Sequence, residues 1–137
     1  THFRSQQKAL DLASWLTFKN RKRGERFAVV HGPEDDFVVM CWADALKHEL
    51  SIINTNIEKP SSMDYAQIEI IRTDEDPLEH WENIIGMFST ADSELLRFIL
   101  NKNMPLETLI RYELSIRGYD QNGHWVGFEQ AKEIWLT

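Results

Sequence analysis

Apolar positions recur along this chain at two periods, and the period decides the element. Between Ser5 and Arg23 the spacing is three and four: Ala9, Leu12, Ala13 and Leu16 share one face, widened by Leu10, Trp15 and Phe18. That pattern predicts a helix. Arg21-Lys22-Arg23 followed by Gly24 marks its end, because cations offset the negative end of the helix dipole and glycine accepts a left-handed cap. Two β-rich runs follow, Arg26 to His31 and Phe37 to Trp42, around the acidic turn Gly32-Pro33-Glu34-Asp35-Asp36. They predict a hairpin, and their nearly unbroken apolar character predicts cover on both faces.

Ala43 to Leu50 predicts a short helix, Ser51 to Ile57 fits neither period, and Glu58 to Ser62 predicts a loop. From Tyr65 to Arg72, Ala66, Ile68 and Ile70 alternate with Gln67 and Glu69, which predicts a third strand. A helix is then expected with Asp76 as N-cap and Pro77 in its first turn, carrying the stripe Leu78, Trp81, Ile85 and Phe88. Asp92-Ser93-Glu94 opens another, with Leu95, Leu96, Phe98, Ile99 and Leu100, closed by Asn101 to Asn103. Pro105 opens a third, with Leu106, Leu109, Ile110 and either Leu114 or Ile116 facing inward and Gly118 at its end. Asn122-Gly123 signals a tight turn, and Phe128 to Leu136 a terminal helix with Phe128, Ala131, Ile134 and Trp135 apolar. The expected fold class is α+β, a single domain over residues 1–137. It has an N-terminal helix, a small antiparallel sheet with a hairpin, and a C-terminal cluster of three or four helices.

Composition agrees with a folded chain: of 137 residues, 42% are hydrophobic and 27% charged, which is ordinary globular usage. Cys41 is the one cysteine, so an intramolecular disulfide framework and a cysteine-based zinc site are excluded. No apolar run approaches the roughly 18 residues of a membrane-spanning helix, and the first residues lack the apolar stretch of a signal peptide. The expectation is a cytoplasmic protein with a reduced thiol.

Charge changes the picture more. Residues 1–26 hold seven basic and two acidic side chains, a net charge of +5, whereas residues 27–137 hold 8 and 20, a net −12. Such asymmetry suits a basic handle for an anionic partner, an acidic face for a basic one, or attraction between the two segments.

Catalytic and metal motifs are missing from the sequence. No phosphate loop, G-x-G-x-x-G or G-x-S-x-G occurs, which weakens nucleotide-enzyme and hydrolase readings. The five histidines, His2, His31, His48, His80 and His124, form no H-x3-H pair. Asp76, Glu79 and His80 are better explained as an acidic helix start than as metal ligands. Asp120-Gln121-Asn122-Gly123 with Glu129 misses calcium-loop spacing, its Gly falling at position four and its Glu at ten. No metal and no cofactor is expected. Cys41 has His31 and His48 nearby, and a hairpin brings His31 closer, so a thiolate site is one reading. A cysteine inside an apolar strand is more commonly a small core residue.

Two binding readings remain. Five tryptophans with dispersed acids suit a protein-binding face: Trp81 with Glu79 and Glu82, Trp125 beside the Asp120 turn, and Trp135 with Glu129 and Glu133. The leading expectation is a small acidic, non-enzymatic interaction protein that binds a basic partner, an inhibitor or immunity-type binder of a nucleic-acid-processing protein. The alternative is a nucleic-acid-binding regulator. It would use Lys19, Arg21, Lys22, Arg23 and Arg26, with Trp15 and Phe18 for stacking and a helix-turn-helix-like pair from Glu94 to Arg117.

Overall fold

Helix α1 (Gln6–Lys19) begins where the Ser5 hydroxyl accepts a hydrogen bond from the Lys8 backbone N–H, a standard N-cap. The structure, a computed structural model, describes residues 2–53 and 63–137. Among these, seven α-helices and one three-stranded antiparallel sheet make an α+β fold. The chain divides into two compact units, Thr1–Phe88 and Ser89–Thr137.

In the first unit, α1 ends four residues before the expected Arg23. The Asn20 side-chain amide donates to the Leu16 carbonyl at 2.8 Å, and the chain tightens into a 3-10 turn, Arg21–Arg23, closed by Gly24 at φ +71°. The hairpin forms as expected. Strand β2 (Phe27–His31) pairs with β3 (Phe37–Cys41) in the register Phe27 to Cys41, Val29 to Val39 and His31 to Phe37. Taking β1 as His2–Phe3, the sheet order is β1-β3-β2. No periodicity exists in two residues, so β1 had no sequence signature; the His2 imidazole Nδ1 lies 2.7 Å from the Asp36 carboxylate at the hairpin turn and pins it.

Ala9, Leu10 and Ala13 of α1 pack on Val29 and Val39, with Phe3, Leu16 and Phe37 around them. On the opposite face Ala28 and Val30 are buried as well. Helix α2 (Trp42–Lys47) packs against both hairpin strands, with Ala45 buried. Trp42 was expected to end the strand; it instead opens α2, while its N–H still donates to Arg26 across the hairpin at 2.8 Å. Ile52 bridges to Val30 and extends the β2 edge. The rest of the ambiguous stretch, residues 54–57, and the loop expected at 58–62 lie outside the described residues.

The third strand expected at Tyr65 to Arg72 is a helix, α3 (Tyr65–Arg72). A reciprocal capping box sets it: Asp64 accepts from the Gln67 N–H, and the Gln67 side chain accepts from the Asp64 N–H, each at 2.9 Å. Two orphan donors are satisfied at once, and this outweighs a three-residue alternation. Helix α4 (Glu79–Ser89) starts later than the expected Asp76 cap. Asp76 belongs to a turn instead, its N–H bound to the Asp74 carboxylate and its carbonyl to Lys8 Nζ.

In the second unit, α5 (Ser93–Asn101) starts where Asp92-Ser93-Glu94 was expected to open a helix, and the Asp92 carboxylate caps it by accepting from the Leu95 N–H. Helix α6 (Leu106–Arg117) ends at Gly118, φ +80°, and α7 (Phe128–Leu136) returns along it. Ser115 and Ala131 are the buried side chains of these two helices, and their small size suits close approach. The expected inward stripe of α6 is largely open: Leu106, Leu109, Ile110 and Ile116 are exposed, and Leu114, the alternative to Ile116, is half-buried. Periodicity identifies an apolar face but not what lies against it.

Candidate functional site

Between α6 and α7 the chain makes a short turn that displays aromatic rings. Tyr119 bridges to Trp125, and Val126 and Gly127 both donate to the Gly118 carbonyl. Asp120 organises the turn by accepting from the backbone N–H groups of Asn122 and His124. Those bonds, led by the one from His124, hold its carboxyl below the usual carboxylate range. Trp125 is edge-on to both Tyr119 and Phe128, at 5.3 Å in each case. The three rings remain exposed at 57%, 47% and 56% for Trp125, Tyr119 and Phe128. Trp135, expected at the binding face, is used internally: its indole N–H donates to the Tyr119 carbonyl at 2.9 Å. Glu129 is exposed, with Lys132 Nζ 3.8 Å from its carboxylate.

Charge in this unit is concentrated at the same place. Residues 89–117 balance four acids with four bases, whereas residues 118–137 hold three acids and one lysine, a net −2. On α5 and α6 the arginines meet their own glutamates: Arg97 with Glu94, Arg111 with Glu107, Arg117 with Glu113. The Glu94–Arg117 pair has a helix-turn-helix outline, but α6 packs chiefly along α7 and hardly along α5.

The other expected aromatic, Trp81, lies in the first unit and lines a cavity of about 610 Å³ with Phe3, Gln7, Lys8, Asp11 and Ile71. Lys8 Nζ bridges its rim to Asp74 at 2.8 Å and to the Asp76 carbonyl at 2.6 Å, which holds the Asp74 carboxyl low. His80 stacks on Trp15, 5.1 Å apart and 12° from parallel, and burial holds its imidazole below the ordinary histidine range. Glu79 and Glu82 are exposed on the first turn of α4.

Burial raises the Asp11 carboxyl above its ordinary value, and hydrogen bonding from Gln7 at 3.0 Å opposes this only in part. A carboxyl raised in the folded state binds more protons folded than unfolded, so its contribution improves as pH falls through that window. Asp11→Asn is therefore expected to raise the melting temperature at neutral pH, with the gain shrinking on acidification. Thermal melts of both proteins across the acidic range check it; a gain that grows on acidification would contradict the assignment.

A second pocket, of about 400 Å³, lies beside the C-terminal end of α1, between Phe18, Arg21, Arg26 and Trp42. The Arg21 guanidinium sits 4.0 Å from the centre of the Phe18 ring, and that of Arg26 sits 4.1 Å from the Trp42 ring. Lys19 ends α1, and Lys22 and Arg23 lie on the 3-10 turn. Among the described residues, no carboxylate stands within 4.0 Å of Lys19, Lys22, Arg23 or Arg26. The pairing of Arg26 with Trp42 was missed from sequence, although it follows from the hairpin register one step beyond Phe27 and Cys41.

The hairpin does not bring His31 to Cys41. Cys41 is opposite Phe27 and His31 is opposite Phe37, four residues apart along the strand, or roughly 13 Å. Among the described residues, no group of three His, Cys, Asp or Glu is placed to hold a metal ion, and no helix is long and apolar enough to cross a membrane. Comparison with family models, with curated proteins and with solved structures finds no match to this chain.

Proposed function

We propose that this chain is a protein-interaction module that binds a basic partner through the aromatic display between α6 and α7. The observation that carries this reading is Trp125, exposed yet held edge-on between Tyr119 and Phe128 where the unit's net negative charge is concentrated. An immobilised aromatic loses little freedom on binding, and such residues dominate interface energies. Surrounding acids steer a basic partner and speed its association. A protein that handles nucleic acid presents a basic, phosphate-seeking surface of this kind, and an acidic aromatic display fitted to it would act as an inhibitor. The reading sets the protein in the cytoplasm, where its thiol stays reduced.

The test compares immobilised wild-type protein with Trp125→Ala in extracts treated with nuclease, at low and high salt. The expected result is a partner retained by wild type at low salt and released by salt. Its affinity for Trp125→Ala, measured with the purified partner, should fall at least about 30-fold. Identical retention by the two proteins would sink the reading.

A further inference from the structure

We propose that the cavity lined by Asp11 and Trp81 binds a small primary amine with an apolar body, its ammonium on the Asp11 carboxylate and its hydrocarbon against the Trp81 wall. This site lies in the first unit and is independent of the aromatic display. Its volume of about 610 Å³ falls within the range of sites that hold small organic ligands.

Helix formation does not account for Asp11. It is the sixth residue of α1, past the first turn, where a carboxylate would favour the dipole. Away from a cap, aspartate is also a poor helix former. Its sequence neighbours Leu10 and Leu12 belong to the core and its fringe. Lys8 stands three residues earlier, at pairing distance along a helix. Its Nζ is turned instead to the Asp74 carboxylate and the Asp76 carbonyl. The two carboxyls record that choice: Lys8 holds Asp74 low, whereas burial pushes Asp11 up.

The cavity does give Asp11 neutral donors. The Gln7 side-chain amide donates to it at 3.0 Å. The Trp81 indole N–H is buried beside it and also favours its ionised form, without reaching a full hydrogen bond among the described residues. Both groups hold the carboxylate as an anion, and neither brings a charge. An ionised carboxylate has about four acceptor positions, so two such donors leave room for a ligand. An ammonium supplies the positive charge and three N–H donors, in the charge-assisted bonds that are strongest. Like a lysine, it stays protonated at neutral pH.

The remaining wall selects the body of the ligand. Phe3, Ile71, Leu78 and Trp81 line the same cavity, each half-buried. Hydrocarbon laid against them leaves water, which adds to affinity, and an ammonium beside an indole gains from the negative face of the ring. A metal cation would leave this wall unused. An anionic ligand would meet Asp11 as a like charge. Arg4 also lines the cavity but is exposed, so its charge is screened by solvent. The arrangement lowers stability, as the gain expected from Asp11→Asn implies, and sites built for binding trade stability for function in this way.

The experiment titrates the full chain by calorimetry with 2-phenylethylamine, 2-phenylethanol and 3-phenylpropionate, three ligands of one body that differ in the polar end. Wild type is compared with Asp11→Asn, with Trp81→Phe and with Lys102→Gln, a control in the second unit. Thermal melts confirm that each variant is folded. The expected result is binding of the amine in clear preference to the alcohol and the acid. Asp11→Asn should weaken amine binding roughly 10-fold or more while melting no lower than wild type. A merely structural carboxyl would not separate those two readouts. Trp81→Phe keeps the apolar wall, removes the N–H and should weaken binding by a smaller factor, and the control should match wild type. The proposal is overturned if the amine does not bind, if the alcohol or the acid binds as well, or if Asp11→Asn binds the amine as wild type does. The comparison of the three ligands needs no variant, so it decides even if a substitution fails to fold.

Discussion

Replacing Gly118 by valine is expected to destabilise the second unit by about 3 kcal/mol or more, from two causes that add. Gly118 sits at φ +80°, and a left-handed backbone costs an L-residue about 1–2 kcal/mol, with β-branched residues at the upper end. A side chain there would also overlap the Trp125 ring, which lies directly over the position. Displacing that ring breaks its contacts with Tyr119 and Phe128, and overpacking of this kind costs about 1–3 kcal/mol. The two causes can be separated. Gly123 has a similar φ of +82° but open space where a Cβ would lie, so Gly123→Ala carries the backbone cost alone. Gly118→Ala should be clearly worse than Gly123→Ala in urea unfolding followed by amide exchange within α6 and α7. Equal losses would show that Trp125 is not seated on Gly118.

Val29→Asp is expected to unfold the sheet of the first unit at neutral pH. Val29 is fully buried, packed in the cluster of Ala9, Leu10, Ala13 and Val39, where a carboxylate finds no cation. An unpaired buried charge costs several kcal/mol, against a whole-domain stability of about 5–15 kcal/mol. The carboxyl escapes by taking up a proton. Its folded-state pKa is then raised, so the variant recovers stability as pH falls. Val29→Ala removes only methyl groups and should cost about 2 kcal/mol with no such pH dependence. Thermal melts at neutral and mildly acidic pH distinguish them. A Val29→Asp protein with wild-type stability at neutral pH would place Val29 outside the core.

What was legible in the sequence and what was not divides along physical lines. Helix α1 and the hairpin were readable because their apolar periods are long and the Gly32 to Asp36 loop marks the hairpin turn; the basic run with Gly24 ends the 3-10 turn that follows α1 rather than α1 itself. Helix α5 was readable from Asp92-Ser93-Glu94 at its start and the apolar run that follows. Helix α3 was misread because Ala66, Ile68 and Ile70 also satisfy a two-residue period; the deciding signal lay in Asp64 and Gln67, at capping-box spacing. Strand β1 depends on the free edge of β3 and on Asp36, 34 residues away from His2, which no local pattern contains. At the candidate site, residue type indicated that Trp125 and Asp120 belong together, but tertiary partners alone set the different roles of the tryptophans. Trp135 is tied to the Tyr119 carbonyl and Trp81 to a cavity wall, whereas Trp125 faces outward.

The register of the hairpin also provides a built-in place for a reporter. Cys41, the chain's single thiol, ends β3 opposite Phe27 and is bonded directly to Trp42. A maleimide dye attached there would be covalently unique, because no second cysteine competes for it. It would stand one residue from an indole, close enough for contact quenching, so movement of Trp42 would register as a change in emission.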